Sequence, residues 1–425
     1  MPFNKIKTLL LSKTAQNTYL LFVGNLIDAV FAFLFTMVSF RLLNTEGFGI
    51  FSAVNNFVVL IFTLMDLGIS SSLINFIPQF LSKNDKTSAE KYQYNGITMR
   101  LLLAVLVLIL LLIFSPWIAK EMFMTTQYVV VVLAGIAILG LSGLDVLFFS
   151  LQARSKFWQS AVSSIAYSIS RVLMLGIFIL WGGQYSYVWA MIITALSPFW
   201  GVILSSYLLK LNIIKLRFEA KILKNMIGFG GWLGLVKILT SLAGRIDVQI
   251  ILWISGSFQA GIYSVATRLA SFYPVIMASF TAVLAPRLAG NINKRELKTL
   301  LSKSFLGVMG LISLMVIGIL ISKPLILTLF GYKALTSVMP FQLLTLAFMP
   351  FMLGSLAVSV IIYKFKQPKF MSIVSTLQLA IILAGGWLFV PVFGVNGIVL
   401  AIGVSNLLMM FMSYYYVYLK WQKLQ

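Results

Sequence analysis

The chain has no cysteine and no histidine, and only 10 Asp and Glu residues against 32 Lys and Arg. Without cysteine there is no disulfide, no thiolate nucleophile and no thiolate metal ligand. Without histidine the commonest general base at neutral pH and the commonest metal ligand are both missing. No catalytic residue, metal site or cofactor site is therefore expected. A nucleotide-driven motor is excluded by the lack of a G-x-x-x-x-G-K-[ST] loop. The net charge of +22 would suggest nucleic acid in a soluble protein. Here no basic run is interleaved with a soluble recognition fold, so nucleic acid is not expected as a partner.

What the chain has in abundance is apolar length: 60% of its 425 residues are hydrophobic and 10% charged, which leaves no room for a soluble domain. Runs of about 20 apolar residues suffice to cross a bilayer. Twelve are read, near residues 15–40, 48–73, 97–119, 128–151, 161–181, 188–209, 228–254, 261–285, 304–322, 338–363, 370–390 and 397–419. The expected fold is all-α and integral to the membrane. The first run follows a basic segment but is too long for a signal-peptide core and lacks a small-residue cleavage site, so it is expected to remain as a helix. Cations fall on alternate sides of the runs. One side carries Lys5, Lys7 and Lys13, then Lys83, Lys86, Lys91 and Arg100, and continues so to Lys420 and Lys423; the other carries only Arg41, Lys120, Lys323 and Lys333. The positive-inside rule then places both termini in the cytoplasm, with anionic phospholipids as neighbours of the basic loops.

The sequence Gly49-Ile-Phe-Ser-Ala-Val returns 212 residues later as Gly261-Ile-Tyr-Ser-Val-Ala. Lys156-Phe157 and Lys369-Phe370, at cytoplasmic turns, share nearly that offset. Six spans per half is an even number, so both halves enter from the same side and the repeat is parallel. The reading is two six-helix bundles, residues 1–209 and 228–425, around a central cavity, joined by a basic stretch at 210–227. Amphipathic from Lys210 to Lys224, that stretch is expected to be an interfacial helix.

With Arg100, at the edge of the third span, counted among the loop cations, eight ionisable residues lie within the predicted spans: Asp28, Asp66, Asp145, Arg171, Lys237, Arg245, Asp247 and Arg268. At about 2.5–3.5 kcal/mol each near the bilayer centre, they must pair or line a hydrated space. Asp66 and Asp145, toward the cytoplasmic ends of their spans, are expected to be interfacial. Lys237, Thr240, Ser241, Gly244 and Arg245 follow i, i+3, i+4, i+7, i+8 on one helical face, and Ser264, Thr267, Arg268 and Ser271 repeat that spacing. Asn25 and Asp28 in the first span, Asn56 and Asp66 in the second, and Ser168 and Arg171 in the fifth make further polar seams. Guanidinium groups match phosphate geometry, so Arg245, Arg268 and Lys237 are read as a shared anion site. Arg171, Asn25 and Asn56 line the same cavity. Asp28, Asp247 and Asp66 are candidates to carry a coupling ion.

The segment Arg41-Leu42-Leu43, Glu46, Phe48-Gly49-Ile50-Phe51-Ser52 and, after the second span, Asp66-Leu67-Gly68 resembles the start of polysaccharide flippases of the O-antigen type. Their superfamily also holds multidrug and toxin extruders and lipid II flippases. Arg245-Ile246-Asp247 and Gly261-Ile262-Tyr263-Ser264 with Ala266 and Arg268 resemble the family's seventh and eighth helices. Asn44-Thr45 stands where the family often has Gly-Pro. The resemblance implies a non-enzymatic transporter in the bacterial cytoplasmic membrane that moves an undecaprenyl-diphosphate-linked oligosaccharide outward by alternating access, for O-antigen, capsule or exopolysaccharide. It implies a central cavity lined by helices one, two, seven and eight, and a polysaccharide polymerase and a chain-length regulator as partners. The alternatives are a multidrug extruder, against which the basic second half speaks, and a membrane polysaccharide polymerase or ligase. An enzyme of that kind needs clustered carboxylates at the membrane face, and the longest outer loop, near residues 322–338, has no acid.

Overall fold

The computed structural model describes residues 13–290 and 293–422. Within them are sixteen α-helices and no strand, as a chain confined to hydrocarbon requires when its backbone polar groups must be satisfied internally. They are α1 (Lys13–Leu42), α2 (Thr45–Leu64), α3 (Ile69–Ser82), α4 (Lys86–Ile113), α5 (Ser115–Phe123), α6 (Val129–Ala153), α7 (Phe157–Trp181), α8 (Tyr187–Leu209) and α9 (Ala220–Ala243). Then come α10 (Ile246–Ala270), α11 (Phe272–Ala289), α12 (Lys294–Leu320), α13 (Ser322–Phe330), α14 (Val338–Ser359), α15 (Pro368–Phe393) and α16 (Val395–Trp421). Ten stretches among the described residues are long and apolar enough to cross a membrane, one of them running from Lys237 to Ala289. That run covers the expected eighth span and the expected seventh from Lys237 onward. It is interrupted at Gly244–Arg245 and at Gly256, whose φ of 84° only glycine adopts without strain.

The contacts divide the chain into two compact units, Met1–Leu43 with Val54–Ile238 and Asn44–Ala53 with Leu239–Gln425. These bounds differ from the sequence division at 210–227, and the packing of α9 explains why. In the first unit Leu223 and Met226 of α9 are buried with Ile69, Leu73 and Ile77 of α3, Ile97 of α4 and Val146 and Leu147 of α6. Ser72, fully buried, donates to the Met226 carbonyl at 2.7 Å. The stretch before α9 is not the continuous interfacial helix that its amphipathic pattern suggests. Lys210 ends α8 in the left-handed region at φ 54°, a single 3-10 turn covers Ile213–Lys215, and helix resumes only at Ala220. Side chains of α4 hold it: Tyr94 Oη accepts from Asn212 N at 3.1 Å, Asn95 Oδ1 from Glu219 N at 2.5 Å, and Glu90 receives Lys215 Nζ at 2.9 Å. That hydrogen bond to Glu90 raises the ammonium's pKa.

Apolar surface drives little helix association in lipid, so close packing must supply it. α6 offers Gly135, Gly140, Ser142 and Gly143 toward its neighbours; a Cβ on Gly140 would lie 3.1 Å from Phe199 and Pro198 of α8. In the second unit Met277, Leu284, Leu297, Val308, Met352 and Leu356 join α11, α12 and α14. α12 begins at a capping box in which Asn293 Oδ1 accepts from Glu296 N at 2.9 Å and Glu296 Oε2 from Asn293 N at 3.1 Å, satisfying two donors a helix start leaves open.

A buried charge network and its surroundings

Asp66-Leu67-Gly68 breaks the second span in two. Leu67 and Gly68 take positive φ, 45° and 79°, and Asp66 Oδ1 accepts from Ser70 N at 3.2 Å, supplying the new helix with a partner for one of its open N–H groups. A Cβ on Gly68 would meet the Gly230 carbonyl oxygen at 2.0 Å, and one on Gly234 would meet Gly68 N at 2.8 Å. α9 therefore lies backbone to backbone on the break. Gly230, Gly234 and Lys237, at i, i+4 and i+7, share one face, which sets Lys237 Nζ 3.0 Å from Asp66 Oδ2.

Asp66 is the centre of a larger cluster. Its Oδ1 accepts from Ser70 Oγ at 2.6 Å and lies 3.7 Å from Arg100 Nη1. Arg100 Nη2 donates to the Phe62 carbonyl at 3.0 Å and stands 3.5 Å from Asp145 Oδ2, with its guanidinium over the Phe62 ring. Ser70 Oγ is 3.1 Å from Asp145 Oδ2. Arg100 is 1% exposed, whereas the Lys237 side chain is 45% exposed and opens the cluster outward. Asp66 and Asp145 are thus paired with cations inside the protein, and Arg100 lies in a helix, not in a loop. α4 begins at Lys86, behind an Asp85 cap that accepts from Ser88 N at 2.9 Å, so Arg100 sits fourteen residues into a helix. These hydrogen bonds from Ser88 hold the Asp85 carboxyl below the usual carboxylate range. Sequence reasoning missed Arg100 because a cation beside an apolar run reads as topogenic. The signal that would have found it is the stripe Ala89, Gln93, Gly96, Arg100, all buried, at i, i+4, i+7, i+11.

The first and fifth spans meet as α1 and α7. Ser168 hydrogen-bonds Asp28. Arg171 is 8% exposed, stacks over Phe35 at 4.2 Å and donates to Tyr167 Oη at 3.3 Å, while its Nε has no hydrogen-bond partner among the described residues. Nearby, Ser39 Oγ and Tyr185 Oη lie 3.0 Å apart, and burial pushes the Tyr185 phenol up to about 12, so it stays a neutral hydroxyl. Asn56 is half-buried. The Asn25 side chain lies outside the described residues.

In the second unit Asp247, 7% exposed, accepts from Tyr263 Oη at 2.5 Å and Val248 N at 2.8 Å, and among the described residues it forms no ion pair with Arg245. The sequence names Tyr263 only within the repeated motif and the family resemblance and not as a site residue. Arg245 has φ −142° and ψ −15°, so the helical face expected to carry Lys237 and Arg245 together ends at Ala243. Lys237 belongs to the first unit, and Arg245 and Arg268 to the second. Arg268 is half-buried, and the Ser264 hydroxyl is buried with no hydrogen-bond partner among the described residues.

This arrangement of membrane-length helices has solved counterparts among transporters of the MOP superfamily. An inward-facing multidrug resistance MATE family transporter superposes with a TM-score of 0.80 at 15% identity, covering 93% of this chain and 95% of its own. Lipid II flippase MurJ, inward closed, gives 0.72 at 16%, covering 94% and 87%. A MOP superfamily transporter from Pyrococcus furiosus, reported with a binding pocket of reverse polarity, gives 0.63 at 16%, covering 96% and 93%. The fold is that of this superfamily. The profile of the polysaccharide biosynthesis protein family matches residues 14–292, and the chain belongs to that family. No curated protein sequence matches it.

Proposed function

We propose that this protein is a flippase that carries an undecaprenyl-diphosphate-linked oligosaccharide across the bacterial cytoplasmic membrane by alternating access. The observation that carries the reading is a polysaccharide biosynthesis sequence on a fold shared with a lipid II flippase over 94% of the chain. The lipid tail stays beside the bilayer and the sugars occupy a polar cavity. The diphosphate docks on Arg245, Arg268 and Lys237, with Arg171, Asn25 and Asn56 along its path, and both termini are cytoplasmic. Asp28, Asp247 and Asp66 are the carboxylates available to carry a coupling ion. Asp66 and Asp247 are buried and Asp28 is half-buried, each beside a cation or a hydroxyl, which fits that role.

Deleting the gene in its host should trap the lipid-linked oligosaccharide in the inner leaflet, read as loss of the fraction open to an external lectin or glycosidase. Charge reversal by Arg245→Glu should cut transport by on the order of 30-fold or more, the cost of placing a like charge against a desolvated anion, with normal protein in the membrane. Near-normal surface polysaccharide in that variant would remove Arg245 from the site. The multidrug reading rests on the superposition with a multidrug transporter at TM-score 0.80. It predicts chain-dependent resistance to cationic drugs with unchanged surface polysaccharide.

A further inference from the structure

Ser70 Oγ faces two carboxylates with a single hydrogen to share, and an extra proton in the cluster would give each contact a hydrogen of its own. A serine hydroxyl has one hydrogen to give. At 2.6 Å it goes to Asp66 Oδ1, a charge-assisted bond of the strong kind. Ser70 Oγ is also 3.1 Å from Asp145 Oδ2. Two ionised carboxylates cannot both accept that single hydrogen well. Asp66 already receives Ser70 N and Lys237 Nζ, whereas from a cation Asp145 Oδ2 receives only a long hydrogen bond, Arg100 Nη2 at 3.5 Å. A hydrogen on Asp145 resolves the count: Asp145 Oδ2 donates to Ser70 Oγ, and Ser70 Oγ donates to Asp66.

We propose that Asp145 is a proton-carrying site of this protein, linked through Ser70 and Asp66 to Lys237, and that its protonation and the binding of an anionic headgroup at Lys237 favour one another. The charge arithmetic makes the link. With both carboxyls ionised, Asp66 and Asp145 cancel Arg100 and Lys237. With Asp145 neutral, one positive charge is left over in a site where the other cation, Arg100, is 1% exposed, so it is offered at Lys237, the member that opens outward. An anion drawn to Lys237 then holds the proton on Asp145, and departure of the anion releases it as the carboxylate returns to partner Arg100. Linkage of this kind is reciprocal. The charged groups facing Asp145 are Arg100 from α4, Asp66 from the break before α3 and Lys237 from α9; α5, α7 and α8, which also pack on α6, bring it no ion pair among the described residues. This identifies the coupling ion as a proton and its carrier as a residue other than Asp28, Asp247 and Asp66. The docking half rests on the flippase reading; the proton site does not.

Two readouts separate them. Infrared difference spectra of the full-length protein in nanodiscs, taken between two pH values without ligand, should contain a protonated-carboxyl C=O band that Asp145→Asn removes and Asp28→Asn and Asp247→Asn leave. Ser70→Ala, which keeps both carboxyls, should shift that band, since the acid loses its acceptor. A band indifferent to Asp145→Asn overturns the proposal. For the second readout, undecaprenyl diphosphate is titrated onto the same nanodiscs. Wild-type affinity should fall as pH rises, by up to about tenfold per pH unit for one linked proton. The probe's own ionisation acts with the opposite sign. Asp145→Asn, which mimics the neutral acid, should hold the low-pH affinity throughout; a variant that titrates like wild type overturns the linkage. A wild type that shows the band yet binds no undecaprenyl diphosphate supports the proton site and faults the flippase reading instead.

Discussion

Arg100→Leu is expected to deplete folded protein in the membrane, more severely than any other single replacement of a charged residue in the chain. Its guanidinium lies between the two carboxyls, 3.7 Å from Asp66 and 3.5 Å from Asp145, and also satisfies the Phe62 carbonyl at 3.0 Å. Removing one partner of a buried ion pair costs about 3–5 kcal/mol, because the charge left behind is neither solvated nor compensated. That is a large share of the roughly 5–15 kcal/mol by which a folded protein is stable. Lys237 cannot take over, since it reaches Asp66 only and from the open side. The check is thermal stability of the detergent-solubilised protein, together with its yield from membranes. Arg100→Leu combined with Asp145→Leu should be more stable than Arg100→Leu alone, the non-additivity that residues of one network show. If Arg100→Leu melted within a degree or two of wild type, the network would have no structural role.

The membrane-spanning helices were legible because hydrocarbon leaves a chain few options: apolar runs of fixed length with the cations sorted to one side. The break at Asp66-Leu67-Gly68 was visible as a motif, and Lys237 was visible as a cation too costly to be incidental. That Lys237 answers Asp66 was not, because 171 residues separate them and only the packing of Gly230 and Gly234 on Gly68 joins their helices. Periodicity failed where helices stop. The polar face from Lys237 to Arg245 assumes unbroken α-helix, and the chain leaves that conformation at Gly244. The stretch at 210–224 has a helix's amphipathic pattern but is tied down by Tyr94 and Asn95 in other conformations. Local sequence cannot register such partners.

The repeat noticed in the sequence, Gly49 and Gly261, leads to the second large effect. The two glycines meet each other within the second unit: a Cβ on Gly49 would lie 1.9 Å from the Ser257 carbonyl oxygen and 2.8 Å from Gly261 N, and a Cβ on Gly261 would lie 2.1 Å from the Thr45 carbonyl oxygen. The nearest obstacles are backbone, and the one side-chain atom among them, the Thr45 methyl 3.0 Å from the Gly261 position, is the lesser, so no rotamer change relieves the clash and the helices must part. Forcing extra atoms into a packed site costs typically 1–3 kcal/mol, and immovable walls on both sides put Gly49→Ala and Gly261→Ala at the upper end. The control fixes the sign. Gly310, inside α12 with nothing within 4 Å of its would-be Cβ, should gain up to about 1 kcal/mol on Gly310→Ala, because alanine is the better helix former. Melting temperatures of the three variants should therefore split, two falling and one level or rising. Gly49→Ala with Gly261→Ala should lose less than the separate losses combined, since helices already parted by one methyl have room for part of the other. Were all three to behave like Gly310→Ala, the backbones would not be in contact, and the shared motif would mark common descent alone.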